Sequence, residues 1–207
     1  TKESTYGISL FEEYKVCICA NDVTDFEKCY KNIFSNIVRY SDRYLVFIDD
    51  EKGTFQKIAE LYPSCRYVNS IAELDIFIEE LKPELNARLE KADAGLEISE
   101  QIFIVVSEFN AFFNMITDEQ ADFMRKVFKY INQPKFKMYF ICGFNVNGNK
   151  NNDRLFMSFI VNAENYLLCK NSYEKASFKI ETLPMIHDVK SDYCYMCQKE
   201  KSAEIRW

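Results

Sequence analysis

Residues 17–34 read CICANDVTDFEKCYKNIF. The apolar run Val16-Cys17-Ile18-Cys19-Ala20 has the length of a short buried strand, and Phe26 to Val38 carries apolar residues at helical spacing. A strand that turns into a helix is the repeating unit of an α/β fold, and the turn between them is where such folds hold phosphate. Here the turn carries Asp22, Asp25 and Glu27 and no glycine. The stretch therefore sets a question: does this turn hold a phosphate, or has it lost the means?

Outward from it, apolar runs alternate with helical segments. Strands are expected at Lys15–Ala20, Tyr44–Ile48, Arg66–Val68, Ile102–Ser107, Lys137–Gly143 and Asn165–Lys170. Several are continuous rather than alternating, as strands buried on both faces are. Helices are expected at Phe26–Arg39, Gly53–Leu61, Ile71–Leu89, Asp118–Ile131 and Asp153–Val161. Ser70 followed by Glu73 forms a capping box for the third helix, and Thr117 precedes the fourth. This alternation predicts a mostly parallel sheet with helices on both faces. In the tail, Tyr193–Gln198 and Ala203–Trp207 read as an antiparallel hairpin around Lys199-Glu200-Lys201. The polar stretch Asn145–Asp153 reads as a loop. No repeat or linker divides the 207 residues, so one domain is expected over 1–207.

Composition narrows the function classes. The net charge is −6, and Lys and Arg are scattered, which argues against a nucleic-acid partner. No apolar run approaches the roughly 18 residues of a membrane span. The polar start TKESTYGISLFEEYK has neither an initiator Met nor the pattern of a signal peptide, and a fragment of a longer protein is expected. The eight Cys include several inside apolar runs, where a reduced thiol packs as a small hydrophobe, so a reducing compartment is expected.

The order of elements carries a resemblance. The first strand–turn–helix is followed by LVFIDDEKG, then YVNSIAELDIFIEELKPELNARLE, then the acid-ended strand IFIVVSEFNAFF, then MYFICG and RLFMSFIVNAENYLLCK. This order resembles an FtsK/SpoIIIE-type ATPase module. More narrowly, it is similar to the C-terminal ATPase-like module of the EssC/EccC membrane proteins of type VII secretion. The resemblance covers nearly the whole chain. It implies a RecA-like P-loop NTPase fold and a place at the C-terminus of a membrane-anchored parent, on the cytoplasmic face. As partners it implies neighbouring ATPase modules of the same chain and secreted WXG100-like helical-hairpin substrates.

The opening question can then be put to the motif. In G-x-x-x-x-G-K-[ST] the glycines turn backbone N–H groups toward phosphate, the lysine neutralises charge and the hydroxyl holds magnesium. Laid after the first strand, the matching positions are Ala20, Asp25, Phe26 and Glu27, and none has the required side chain. Two added negative charges at 4 Å repel by about 4 kcal/mol at an effective dielectric of about 20. Lys28 stands two positions late. In the second motif an Asp positions magnesium and an adjacent Glu activates water. Here Ser107 replaces the Asp, and Glu108 matches the catalytic carboxylate as a remnant base or as a local cap. No cofactor is expected. The N–H groups of a strand–helix turn still leave room for weak Mg-ATP binding.

Other constellations carry less. Cys194-x-x-Cys197 lies in a strand-like run, where residues three apart point to opposite faces, and His187 is the sole histidine, so no metal site is expected. His187 lacks a placed partner for nucleophilic catalysis. Asp49-Asp50-Glu51 reads as a solvated strand end rather than a cation site. Phe109, Phe112, Phe113 and Met115, with Phe123, Met124 and Phe128, read mostly as core, although a helix-docking groove would draw on the same residue types.

Three functions stand against one another. The leading expectation is a catalytically degenerate ATPase-like module that recognises substrate or regulates its neighbours. The alternative is a divergent ATPase completed by residues of an adjacent module. The third is a structural cap that binds nothing.

Overall fold

The computed structural model describes residues 15–39, 43–131, 133–145 and 165–169, the backbone of 193–198 and 201–206, and the side chain of Cys194. The strands are β1 (Lys15–Ala20), β2 (Arg43–Ile48), β3 (Cys65–Val68), β4 (Gln101–Val106), β5 (Met138–Asn145), β6 (Asn165–Leu168), β7 (Tyr193–Gln198) and β8 (Lys201–Arg206). Their order in one sheet is β3-β2-β4-β5-β1-β6-β7-β8. The six from β3 to β6 are all parallel. β7 runs antiparallel to β6, and β8 antiparallel to β7. A parallel sheet with helices on both faces is thus present as expected. The expected helix Asp153–Val161, the turn at 199–200 and His187 lie outside the described residues.

The period-two alternation of each strand feeds two cores. Ile18, Phe47, Val105 and Ile141 face α1 (Val23–Ile37) and α2 (Gln56–Ala59). Cys17, Val46, Ile104 and Phe140 face the other side. There they meet α3 (Ile71–Asp93), α4 (Phe109–Met115) and α5 (Asp118–Ile131). All six residues of β4 are buried, which is why its sequence shows no polar alternation.

Helix ends follow local chemistry. Ser70 accepts the Glu73 N–H, as the capping box requires, and the Glu73 carboxylate accepts the Asn69 N–H. Thr117 and Gln120 cap α5 reciprocally, side chain to backbone, at 3.3 and 2.9 Å. α3 runs one turn beyond the expected Leu89. It ends where Gly95 takes a φ of 68° and the Leu96 N–H returns to the Lys91 carbonyl. α2 is only four residues long, shorter than expected, because Gly53 turns at a φ of 65° ahead of it. β5 starts at Met138 rather than Lys137, whose φ of 51° is left-handed and cannot join a strand.

Arg88 of α3 is 1 % exposed. Its guanidinium donates to the Glu100 carbonyl at 3.0 Å, the Phe136 carbonyl at 2.7 Å and Glu84 at 2.6 Å, tying α3 to the chain entering β4 and β5. Arg88→Met removes the donor from the buried Phe136 carbonyl and from the partly buried Glu100 carbonyl. We expect a loss of about 2–4 kcal/mol in denaturant unfolding. An unchanged midpoint would show that the clamp is dispensable.

Candidate functional site

In an open parallel sheet, ligands bind beyond the carboxyl ends of the strands, where the chain reverses its direction of travel across the sheet. β1 leads to β2 on one side, and β5 leads across β1 to β6 on the other. By this rule the candidate site lies at the ends of β1 and β5, with the end of β4 beside it.

The β1–α1 connection is Asn21 and Asp22 alone. The sequence places the helix start near Phe26, but the helix begins at Val23. The cause is Asp22: as N-cap it has extended backbone, and its Oδ1 accepts the Asp25 N–H at 3.0 Å. Asp25, Phe26 and Glu27 thus lie in the first turns of α1 rather than in a loop. Asp25 and Phe26 are buried, Glu27 is half-buried, and Ala20 ends β1 fully buried. Lys28 also lies inside the helix.

These residues do not fit a phosphate. A cradle needs several successive N–H groups turned outward, and two residues cannot supply them. The Asp22 carboxylate sits at the helix terminus, where a phosphate would otherwise accept. The space beneath the turn is filled by rings. Phe26 stacks on Tyr30 with centroids 6.1 Å apart, and Phe55 meets both edge-on. Tyr30 is fully buried, and its hydroxyl donates to the Ser107 carbonyl at 2.5 Å. Burial holds that phenol well above its ordinary pKa, so it stays a donor.

Gly143 of β5 completes this contact. A Cβ there would lie 2.1 Å from the Ser107 carbonyl oxygen and 2.3 Å from the Tyr30 hydroxyl. Sequence reasoning missed both Gly143 and Tyr30 as determinants of this edge. An isolated glycine inside an apolar strand was the available signal for Gly143.

Glu108 is the N-cap of α4, a helix that sequence reasoning also missed. Its Oε2 accepts the Ala111 N–H at 2.7 Å. Its Oε1 accepts the Asn145 N–H at 3.1 Å and the Asn110 amide at 3.2 Å. The carboxylate therefore bridges the exits of β4 and β5. Burial pushes its pKa above the ordinary range, and the N–H bonds from Ala111, Asn145 and Asn110 partly offset this.

Asp49 plays the same part at the end of β2. It is 1 % exposed, not solvated as the sequence suggests. It accepts the Phe55 N–H, the Asp50 N–H and the Tyr67 hydroxyl at 2.7–2.9 Å. Burial raises its pKa, opposed by those bonds and by one from Ser107. Asp50 caps the loop through Thr54. Among the described residues, no three His, Cys, Asp or Glu side chains gather into a metal-sized group. Cys194 is buried in β7, and the Cys197 side chain lies outside the described residues. Phe109, Phe112, Met124 and Phe128 are core, while Phe113, Met115 and Phe123 are half-buried against it.

No family model and no curated protein matches the chain. Solved structures do. The Thermomonospora curvata EccC (ATPases 2 and 3), in complex with a signal sequence peptide, matches at a TM-score of 0.72 and 12% identity, over 96% of this chain and 37% of that one. The cytoplasmic domain of EssC matches at 0.70 and 12%, over 96% and 40%. The pCW3 conjugation coupling protein TcpA with ATPγS matches at 0.67 and 11%, over 99% and 62%. The chain thus spans less than half of the EssC and EccC structures. At these identities the likeness shows the fold, that of the P-loop ATPases.

Two outcomes follow from this geometry. Gly143→Ala forces the Ser107 carbonyl and Tyr30 apart, and we expect a melting temperature lower by roughly 5–10 °C. A melt within a degree or so of the parent chain would refute the close approach. Glu108 binds its proton more tightly folded than unfolded, so its contribution to stability is complete below about pH 4.5 and is lost as pH rises through the folded value. Glu108→Gln is fixed in the neutral form. Its melting temperature relative to the parent chain should therefore improve between about pH 4 and about pH 7. A constant difference across that range would remove the claimed shift.

Proposed function

We propose that the chain is an ATPase-fold module of a type VII secretion motor, of the EssC/EccC kind, that hydrolyses ATP poorly or not at all. Its work is recognition of substrate or regulation of neighbouring ATPase modules in a longer, membrane-anchored parent. One observation carries the reading. On a fold that matches EssC and EccC over 96% of its length, the strand–helix turn is two residues long, with its carboxylate already bonded to the helix N–H. The likeness to structures much longer than this chain supports partner modules in the same parent. The signal sequence peptide bound by the EccC structure supports secreted helical-hairpin substrates, WXG100-like in kind, as the second partner. The net charge of −6 favours proteins over nucleic acid as partners. No helix among the described residues is long and apolar enough to cross a membrane. The reading places the module on the cytoplasmic face, with the anchor elsewhere in the parent.

A second reading keeps Glu108 as a base and takes the missing cation from an adjacent module. The position of Glu108 at the exit of β4 favours it, and so does the fold shared with TcpA, solved with ATPγS. Calorimetric titration with Mg-ATP separates the two. The first reading expects no saturable heat and an unchanged melting temperature at millimolar ATP. Stoichiometric hydrolysis by the chain, lost in Glu108→Gln, would overturn it in favour of the second.

A further inference from the structure

Among the described residues six cysteines are buried, in two groups on opposite faces of the sheet. Cys17, Cys19 and Cys142 lie on the α3 side, and Cys29, Cys169 and Cys194 on the α1 side. Each group contains sulfurs in contact. Cys29 Sγ and Cys169 Sγ are 3.8 Å apart, and Cys17 Sγ and Cys19 Sγ are 3.9 Å apart. The two contacts differ in what they join. Cys17 and Cys19 stand two residues apart on one strand, with Cα atoms about 6.6 Å apart and parallel side chains, at the edge of disulfide geometry. Cys29 and Cys169 approach from a helix and from the end of a strand, 140 residues apart in sequence. Their sulfurs meet across the packing interface.

We propose that Cys29 and Cys169 form a reversible disulfide that staples α1 to the end of β6. Closing the contact to a bond of about 2.0 Å needs side-chain rotation and a shift of under about 2 Å, within the give of a helix on a sheet. Peroxide is the oxidant. One sulfur takes an oxygen from it to become a sulfenic acid, releasing water, and the second thiol then displaces the hydroxyl as a second water while the S–S bond forms. Two thiols are oxidised and one peroxide is reduced. A thiol reductant reverses the step. Cys29 and Cys169 are 0 % and 1 % exposed, so peroxide reaches them when α1 opens locally. The rate should therefore level off at high peroxide. α1 carries the Asp22 turn at its N-terminus, about two turns before Cys29, so the staple fixes the helix that shapes this edge. The inference is independent of whether that edge binds nucleotide.

The test is peroxide treatment of the native 207-residue chain, quenching with an alkylating agent, and mapping of the linked peptides. The expected result is a loss of about 2 Da, one linkage between the peptides of Cys29 and Cys169, full reversal by dithiothreitol and a raised melting temperature. Cys29→Ser and Cys169→Ser should each abolish the linkage, while Cys17→Ser keeps it. Mapping the unmutated chain stands even if a variant folds poorly. No mass loss in the folded chain, a linkage through Cys194 or Cys17 instead, or linkage only in denaturant would overturn the proposal.

Discussion

The Ser107 carbonyl is the point on which the carboxyl edge of the sheet is assembled. The Tyr30 hydroxyl donates to it from α1, and β5 passes so close that only Gly143 fits. The Ser107 N–H bonds the Ile48 carbonyl at the end of β2, and its side chain reaches Asp49. One residue thus joins α1, β2, β4 and β5. A buried carbonyl without a donor costs about 1–3 kcal/mol, so the tyrosine is held firmly. Its ring in turn fixes Phe26, Phe34, Phe47 and Phe55 around it. The rotation of α1 about its axis follows, and with it the facing of Asp25 and Cys29 toward the sheet.

The acids of this edge share a second constraint. Asp22, Asp49 and Glu108 each end a strand or start a helix, and each accepts backbone N–H groups of its own chain. A phosphate-binding edge does the opposite: its N–H groups point outward and wait for an anion. The distance between this edge and a nucleotide site is therefore greater than one missing lysine. A lysine at Phe26 would enter a site that is 3 % exposed, beneath the turn, with its charge stripped of water. Lengthening the turn would first require breaking the Asp22 cap.

Much of this was legible in the sequence, and the failures have local causes. Continuous apolar runs located β1, β2, β4 and β5 within a residue or two, because strands buried on both faces need no polar positions. The spacing of Phe26, Tyr30, Ile33, Phe34 and Ile37 located α1. Its start was misplaced because Asp22 was read as a loop acid, although aspartate is among the strongest N-cap residues. α4 went unread because seven residues give too few turns for periodicity, and FNAFFNM is apolar on most sides. The meeting of Tyr30 with Ser107 spans 77 residues and leaves no trace in either neighbourhood. Asp49 looked like one of three solvated acids. Its burial depends on Tyr67 and Phe55, which only the folded sheet brings within reach.

The same constraint bears on how this edge of the fold is stabilised. The core draws on the strand interiors and on five helices among the described residues. A nucleotide turn holds glycines, outward N–H groups and a cation near other charges, all of which cost stability in the empty state. Here a capped helix, a filled aromatic cavity and satisfied carboxylates stand in their place. Each of these leaves a polar group bonded or a ring buried, so the edge is satisfied without an anion. An internally satisfied edge suits a module whose partners read its surface. That is the physical argument behind the proposed role in recognition or regulation.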